Sequence, residues 1–191
     1  ESRNKLRGIA GIRLRNITFR YQEASRNIFS DFSYDFHPGS RIAIVGETGV
    51  GKSTLIRLML SLLRPSQGSL ELYNEQGDVL PVSAESRCNL VYIPQGNSLL
   101  SGTIRDNLLL GNPDADDSEM IQALHTAAAD FVLSLPDKLD SHCGEQGAGL
   151  SEGQAQRIAI ARGLLRPGSI LILDEFSSSL DAETERTLIE R

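Results

Sequence analysis

The apolar positions of this chain repeat first with the period of strands and later with the period of helices. Ile12 and Leu14 alternate, then Ile17, Phe19 and Tyr21, with the phase slipping once between the two runs. One slip predicts a strand carrying a bulge or a bend. A polar turn over 22–27 leads to residues 28–36, where Phe32, Tyr34 and Phe36 alternate, and His37-Pro38-Gly39-Ser40 reads as a further turn. Residues 41–45, Arg-Ile-Ala-Ile-Val, are short, β-branched and apolar, the pattern of a buried strand. Residues 55–60 begin a helical run that reaches about Leu63 and is stopped by Arg64-Pro65-Ser66-Gln67-Gly68. Segments 70–73 and 79–82 flank a polar stretch and read as a hairpin, and 89–93 as a core strand ending at Pro94-Gln95.

Beyond Gln95 the pattern turns helical. Asp116, Asp117 and Ser118 are candidate caps for a helix that puts Ile121, Leu124, Ala128, Phe131 and Val132 on one face. A second glycine-bearing loop covers 137–149. Ser151-Glu152-Gly153-Gln154 has the S-x-x-Q form of a capping box, opening a helix through Ile158, Ala159 and Ala161 to Leu165. Residues 169–173 form the most hydrophobic strand and deliver Asp174-Glu175 at its carboxyl end, where open α/β sheets bind ligands. After the polar turn 177–181 another helix begins at Ala182, and residues 1–10, polar and basic at first, read as a linker.

One stretch carries recognisable chemistry. Gly46-Glu47-Thr48-Gly49-Val50-Gly51-Lys52-Ser53-Thr54 lies between the strand pattern 41–45 and the helix pattern 55–60. G-x-x-x-x-G-K-S in that context is a phosphate-binding P-loop. Its glycines let successive N–H groups converge on one concavity, and the helix start adds free N–H groups and partial positive charge. Lys52 would reach the outer phosphates of a nucleoside triphosphate, and the Ser53 hydroxyl would be a Mg²⁺ ligand.

Composition narrows the partners. The 191 residues suit one domain or two subdomains, and 40% apolar with 23% charged residues is ordinary for a globular protein. A net charge of −6 gives no electrostatic footprint for nucleic acid. Cys88 and Cys143 show no metal spacing and read as free thiols, and no apolar run approaches the length of a membrane span.

Taken in order, these motifs resemble the nucleotide-binding domain of an ATP-binding cassette (ABC) transporter over nearly the whole chain. Leu150-Ser151-Glu152-Gly153-Gln154 is similar to the LSGGQ signature of that family, and the strand ending in Asp174-Glu175 to its Walker B element. The resemblance implies an α/β fold: a P-loop NTPase core with a mostly parallel sheet, an N-terminal antiparallel β subdomain and an inserted helical subdomain. It divides the chain into 1–95, the antiparallel part and first half of the core; 96–165, the helical subdomain; and 166–191, the return to the core.

The resemblance also implies roles. Asp174 would hold Mg²⁺ opposite the P-loop, and Glu175 would be the general base that polarises the attacking water. Gln95 corresponds to the Q-loop glutamine, touching metal and water and sensing the membrane partner. Tyr21 corresponds to the aromatic residue that stacks on adenine. Ser151, Gly153 and Gln154 would face the γ-phosphate held by the P-loop of a second subunit, and Asp181 would cross that interface. The active form is then a head-to-tail dimer, homomeric or heteromeric, with two ATP molecules. Ser101-Gly102-Thr103-Ile104-Arg105-Asp106-Asn107-Leu108 and Gly144-Glu145-Gln146-Gly147 resemble segments of exporter-type cassettes. They imply transmembrane domains fused upstream and a place on the cytoplasmic face of a membrane, where ATP hydrolysis drives export.

Two departures keep other readings open. Glu152 stands where the signature has its first glycine, bringing negative charge near the partner's phosphate unless it points away. The family's switch histidine lies further along than Arg191, and His37, His125 and His142 all precede the Walker B strand. This stretch alone is therefore expected to bind ATP better than it hydrolyses it. The alternatives are a degenerate regulatory cassette with little turnover and a soluble cassette ATPase outside transport.

Overall fold

A computed structural model describes residues 4–47, 49–96, 98–144, 149–174 and 180–191. The chain divides into two compact units: residues 1–90 with 168–172, and residues 91–167 with 173–191.

The first unit is built on an antiparallel sheet of four strands in the order β2-β1-β3-β4, with β1 at Ala10–Phe19, β2 at Phe29–Phe36, β3 at Gln67–Asn74 and β4 at Val79–Pro81. The predicted slip in β1 is present. Ile12, Leu14, Ile17 and Phe19 are all buried, and the pairing with β2 shifts between Leu14 and Ile17. The chain accommodates it by placing Asn16 at φ 51° and, across the pair, Asp31 at φ 53°, left-handed values that Asn and Asp tolerate best. The Asn16 amide side chain donates to Asp31 Oδ1 at 2.7 Å, and the Asn16 N–H to Ser33 Oγ at 2.8 Å, so the bulge keeps its polar groups satisfied. Gly68 lies over it at φ +89°; a Cβ there would come within 2.3 Å of the Arg15 carbonyl oxygen. No other residue fits.

Helix α1, Lys52–Met59, contributes Leu55, Ile56, Leu58 and Met59 to the buried set of this unit. It is shorter than its apolar pattern predicts. Ser61 turns left-handed at φ 53°, and Arg87 donates to the Leu60 and Ser61 carbonyls at 2.7 and 3.0 Å, satisfying acceptors a longer helix would have used. The expected buried strand at 41–45 is a second correction. Residues 41–47 carry no strand pairing, and Ile42, Ile44 and Val45 are exposed, Val45 at 88%. A β-branched apolar run has strand propensity, but only a neighbouring strand supplies hydrogen bonds and cover, and among the described residues no strand pairs with it. The described part of the presumed linker is docked: the Leu6 N–H donates to the buried Asn89 side chain at 2.8 Å, and Asn74 reaches the Arg7 carbonyl at 3.0 Å.

The second unit has helices α2 (Ile104–Leu109), α3 (Asp117–Thr126), α4 (Glu152–Leu164) and α5 (Ala182–Glu190). Ile104, Leu108, Met120, Leu124, Val132, Ile158 and Ile160 form its core. Asp116 caps α3 in a reciprocal box with Glu119, as one of the three candidates expected. The helix stops sooner than its pattern implied: Ala128 is left-handed and 130–134 continue as a 3₁₀ turn. In consequence Met120, Ala123 and Leu124 make the buried face, whereas Ile121 is 39% exposed. Leu90–Ile93 (β5) and Ile170–Leu173 (β8) are short strands, and within the second unit β6 (Gly102–Thr103) pairs antiparallel with β7 (His142–Cys143).

Candidate functional site

The P-loop candidates are gathered at the amino end of α1. Gly51 is the N-cap at φ 113°, ψ 7°, with no side-chain hydrogen bond closing the helix, and Gly49 sits at φ +88°. Only glycine fits at Gly51, because a Cβ there would lie 2.7 Å from Ile28 Cγ2 and 3.3 Å from the Phe29 ring. The consequence is an α-helix whose first N–H groups meet no capping side chain, with the left-handed turn holding the loop back over them. Val50 N–H reaches the Glu47 carbonyl at 3.3 Å, closing the turn, and Gly46 opens it.

Lys52 folds back over the loop, donating to the Gly46 carbonyl and, at 3.2 Å, to that of Glu47. Among the described residues no carboxylate is recorded pairing with its ammonium. Ser53 is exposed in the first turn. Thr54 is buried. Its hydroxyl meets the Tyr21 hydroxyl at 3.1 Å, and Arg57 Nη1 donates to the same Tyr21 oxygen at 3.3 Å. Tyr21 is half-buried and packs edge-on against Phe19, centroids 5.0 Å apart and rings at 86°. Its hydroxyl is held below the usual tyrosine pKa, first by the hydrogen bond from Thr54. The structure therefore brings Tyr21 to the first turn of α1, although more than two dozen residues of sequence separate them.

The second unit holds the remaining candidates. Asp174 follows β8 directly; its N–H donates to the Ile93 carbonyl at 3.1 Å, and its carboxylate accepts from the Tyr92 hydroxyl at 3.0 Å. Tyr92 was not among the residues singled out from sequence. Its place on a strand, one residue before Ile93-Pro94-Gln95, was the available signal. Gln95 is exposed at the turn after β5. Downstream of it, Arg162 of α4 donates to Ser98 through both Nη atoms (3.0 Å to the carbonyl, 2.5 Å to Oγ). Asn107 of α2, 1% exposed, both donates to the Leu100 carbonyl and accepts from its N–H at 2.8 Å. The polar turn that carries Gln95 is thus tied to two helices of its own unit.

Ser151 caps α4 as its sequence spelled out: Gln154 N–H donates to Ser151 Oγ at 3.1 Å, and Ser151 N–H to Gln154 Oε1 at 3.0 Å. Gly153 is half-buried in the first turn, and Glu152 is exposed beside it. Asp181 caps α5 through the Thr184 N–H at 2.9 Å, and that backbone hydrogen bond holds its carboxyl below the ordinary range. A similar box was missed at α2, where Thr103 and Asp106 cap each other. The T-x-x-D spacing of Thr103 and Asp106 is the signal that announces it. Thr48, Glu175 and residues 145–147 lie outside the described residues.

A glycine-formed anion cradle with a lysine at the start of a helix defines a nucleotide-binding P-loop domain. Residues 29–178 match the ABC transporter family. The chain belongs to that family, as a nucleotide-binding domain, and its relatives include export proteins. An uncharacterized ABC transporter ATP-binding protein of Haemophilus influenzae is 39% identical over 94% of this chain and 30% of its own length. The Beta-(1-->2)glucan export ATP-binding/permease protein of Bartonella henselae is 39% identical over 97% of this chain and 31% of its own. The mitochondrial ATP-dependent permease MDL1 of Schizosaccharomyces pombe is 41% identical over 93% and 24%. Among solved structures, a bacterial Atm1-family ABC exporter with ATP bound matches with a TM-score of 0.81 at 34% identity, over 96% of this chain and 32% of that one. The chain thus spans a third or less of these relatives' length. No helix of the described residues is long and apolar enough to cross a membrane.

Proposed function

We propose that this chain is the ATP-hydrolysing domain of an ABC exporter, working as one half of a head-to-tail pair. The observation that carries the reading is the open amino end of α1: two left-handed glycines, no capping side chain, and a lysine without a carboxylate partner among the described residues. These features fit a triphosphate. The N–H groups of Gly49 through Thr54 would bind its oxygens, Lys52 would neutralise the outer phosphates, and Tyr21 would stack on the adenine. Ser53 and Asp174, with Gln95, would hold Mg²⁺, which supplies charge neutralisation on the phosphates when bound.

In this reading Glu175 is the general base for the attacking water and Gln95 orients that water. A positioned base of this kind typically contributes about 10²–10⁴-fold in rate. Ser151, Gly153 and Gln154 face the nucleotide of the partner domain, and Asp181 crosses between the two domains. The assignment of 1–95 and 166–191 to the core, and of 96–165 to the helical subdomain, belongs to the same proposal. So do transmembrane domains fused upstream, coupling to export at the cytoplasmic face of a membrane, and the absence of a nucleic-acid partner.

The test is ATP turnover measured against the concentration of the chain, with Mg²⁺ present. A per-molecule rate that rises with concentration is expected, because two chains build each site. Replacing Glu175 with Gln should then stop hydrolysis and trap an ATP-bound pair. Glu152, exposed in the first turn of α4, favours a second reading, a regulatory cassette that binds without turnover. Tight binding with no hydrolysis at any concentration, unchanged by Glu175→Gln, would support it.

A further inference from the structure

Tyr21 and the P-loop are joined by a contact that the proposed chemistry does not use. Thr54 is 6% exposed, and its side-chain hydroxyl meets the Tyr21 hydroxyl at 3.1 Å. Arg57, one helical turn further along α1, donates to the same phenolic oxygen at 3.3 Å. Phe19, buried in the sheet, meets the Tyr21 ring edge-on at 5.0 Å. The ring is therefore restrained at both ends: by an aromatic edge from β1 at its body and by two α1 side chains at its hydroxyl. A stacking platform held by packing alone could swing about its χ torsions, and a ligand would then have to order it on binding. Fixing the hydroxyl removes that cost before the ligand arrives. Thr54 is also the last residue of the phosphate loop, so one hydroxyl ties the base end of the site to its phosphate end.

We propose that Thr54 is a positioning residue for Tyr21, its hydroxyl holding the ring in the orientation that receives the base of a nucleotide. The inference rests on the stacking role proposed for Tyr21. Its consequence is specific: Thr54 contributes to recognition of the base as well as to the phosphate loop. The discriminating quantity is the ratio of two dissociation constants, that for inorganic tripolyphosphate divided by that for ATP, measured by calorimetry on the full chain with Mg²⁺. Tripolyphosphate has no base, so effects on the phosphate loop cancel in the ratio and effects on the base platform remain.

Tyr21→Phe keeps the ring and loses the hydrogen bonds to both Thr54 and Arg57, whereas Thr54→Val keeps the shape and loses only the Thr54 hydroxyl. Thr54→Val should lower the ratio roughly three- to tenfold, the effect of one hydrogen bond, and Tyr21→Phe by at least as much. The double variant should lower it no further than Tyr21→Phe alone, because the bond lost in Thr54→Val is already lost with the phenol. Thr54→Ser should restore it. Tyr21→Ala, which removes the platform, should lower it most. If Tyr21→Ala collapses the ratio while Tyr21→Phe and Thr54→Val leave it at the parent value, the ring stacks without being positioned and the proposal is overturned. If Tyr21→Ala itself leaves the ratio unchanged, the stacking role falls and takes the proposal with it. Tyr21→Phe is isosteric, so the test stands even if Thr54→Val fails to fold.

Discussion

Two helices of this chain begin in opposite ways. Helix α1 starts at Gly51, left-handed and without a side chain to close it; α4 starts at Ser151, with Ser151 and Gln154 satisfying each other's backbone N–H groups. Both ends carry the positive pole of a helix dipole. Only the first leaves its donors without a capping side chain. The difference teaches that an anion site needs more than a helix end: the chain must also forgo the capping side chain it would ordinarily use, at a cost of only about a few tenths of a kcal/mol when glycine stands there. At α1 the cost comes with glycine geometry that admits a phosphate. At α4 the chain keeps its cap, so this end is stable alone, and an anion from a partner domain would have to share or displace the Ser151 hydroxyl.

Four changes would break or sharpen that contrast, from the largest effect to the smallest. Lys52→Ala removes the cation at the open end, and ATP affinity measured by calorimetry should fall roughly ten- to hundredfold, the loss of a charge-assisted contact. Gly51→Ala forces a side chain into a left-handed position 2.7 Å from Ile28 Cγ2. It should destabilise the fold by roughly 1–3 kcal/mol in urea titrations and weaken ATP binding as well. Ser151→Ala should cost about 1 kcal/mol of stability through α4 while leaving the ATP affinity of a single chain unchanged. A drop in that affinity would mean that the two ends are not distinct.

The smallest effect concerns pH. The Asp181 carboxyl is held below its unfolded value by the Thr184 N–H, so its cap on α5 is complete above the ordinary aspartate pKa. The cap is lost as pH falls through the lower folded value. A carbon-detected NMR titration should place the Asp181 midpoint below that of an ordinary aspartate, and Asp181→Asn should abolish the pH dependence of the Thr184 amide shift.

What could be read from the sequence follows from how local each signal is. The bulge in β1 was legible because alternation slips between Leu14 and Ile17, and the cap of α4 because Ser151 and Gln154 stand three apart. The hairpin of β3 and β4 was legible for the same reason, two alternating runs around a polar stretch. Nonlocal facts were not. Ile42, Ile44 and Val45 are exposed because, among the described residues, no strand pairs with their segment, which no composition encodes. The early end of α1 depends on Arg87 arriving from a distant turn to take the Leu60 and Ser61 carbonyls. At the site, Lys52, Ser53 and Asp174 were found by motif, whereas the contact of Tyr92 with Asp174 and that of Thr54 with Tyr21 bring together residues far apart in the chain.

The central claim is that the uncapped end of α1, and not the capped end of α4, takes the triphosphate in a single chain. The most direct measurement is an amide NMR titration with ATP and Mg²⁺ at a chain concentration too low for pairing. The account predicts progressive shifts at the Gly51, Lys52, Ser53 and Thr54 amides and none at those of Gly153 and Gln154. Shifts at the α4 amides with α1 unmoved would contradict it.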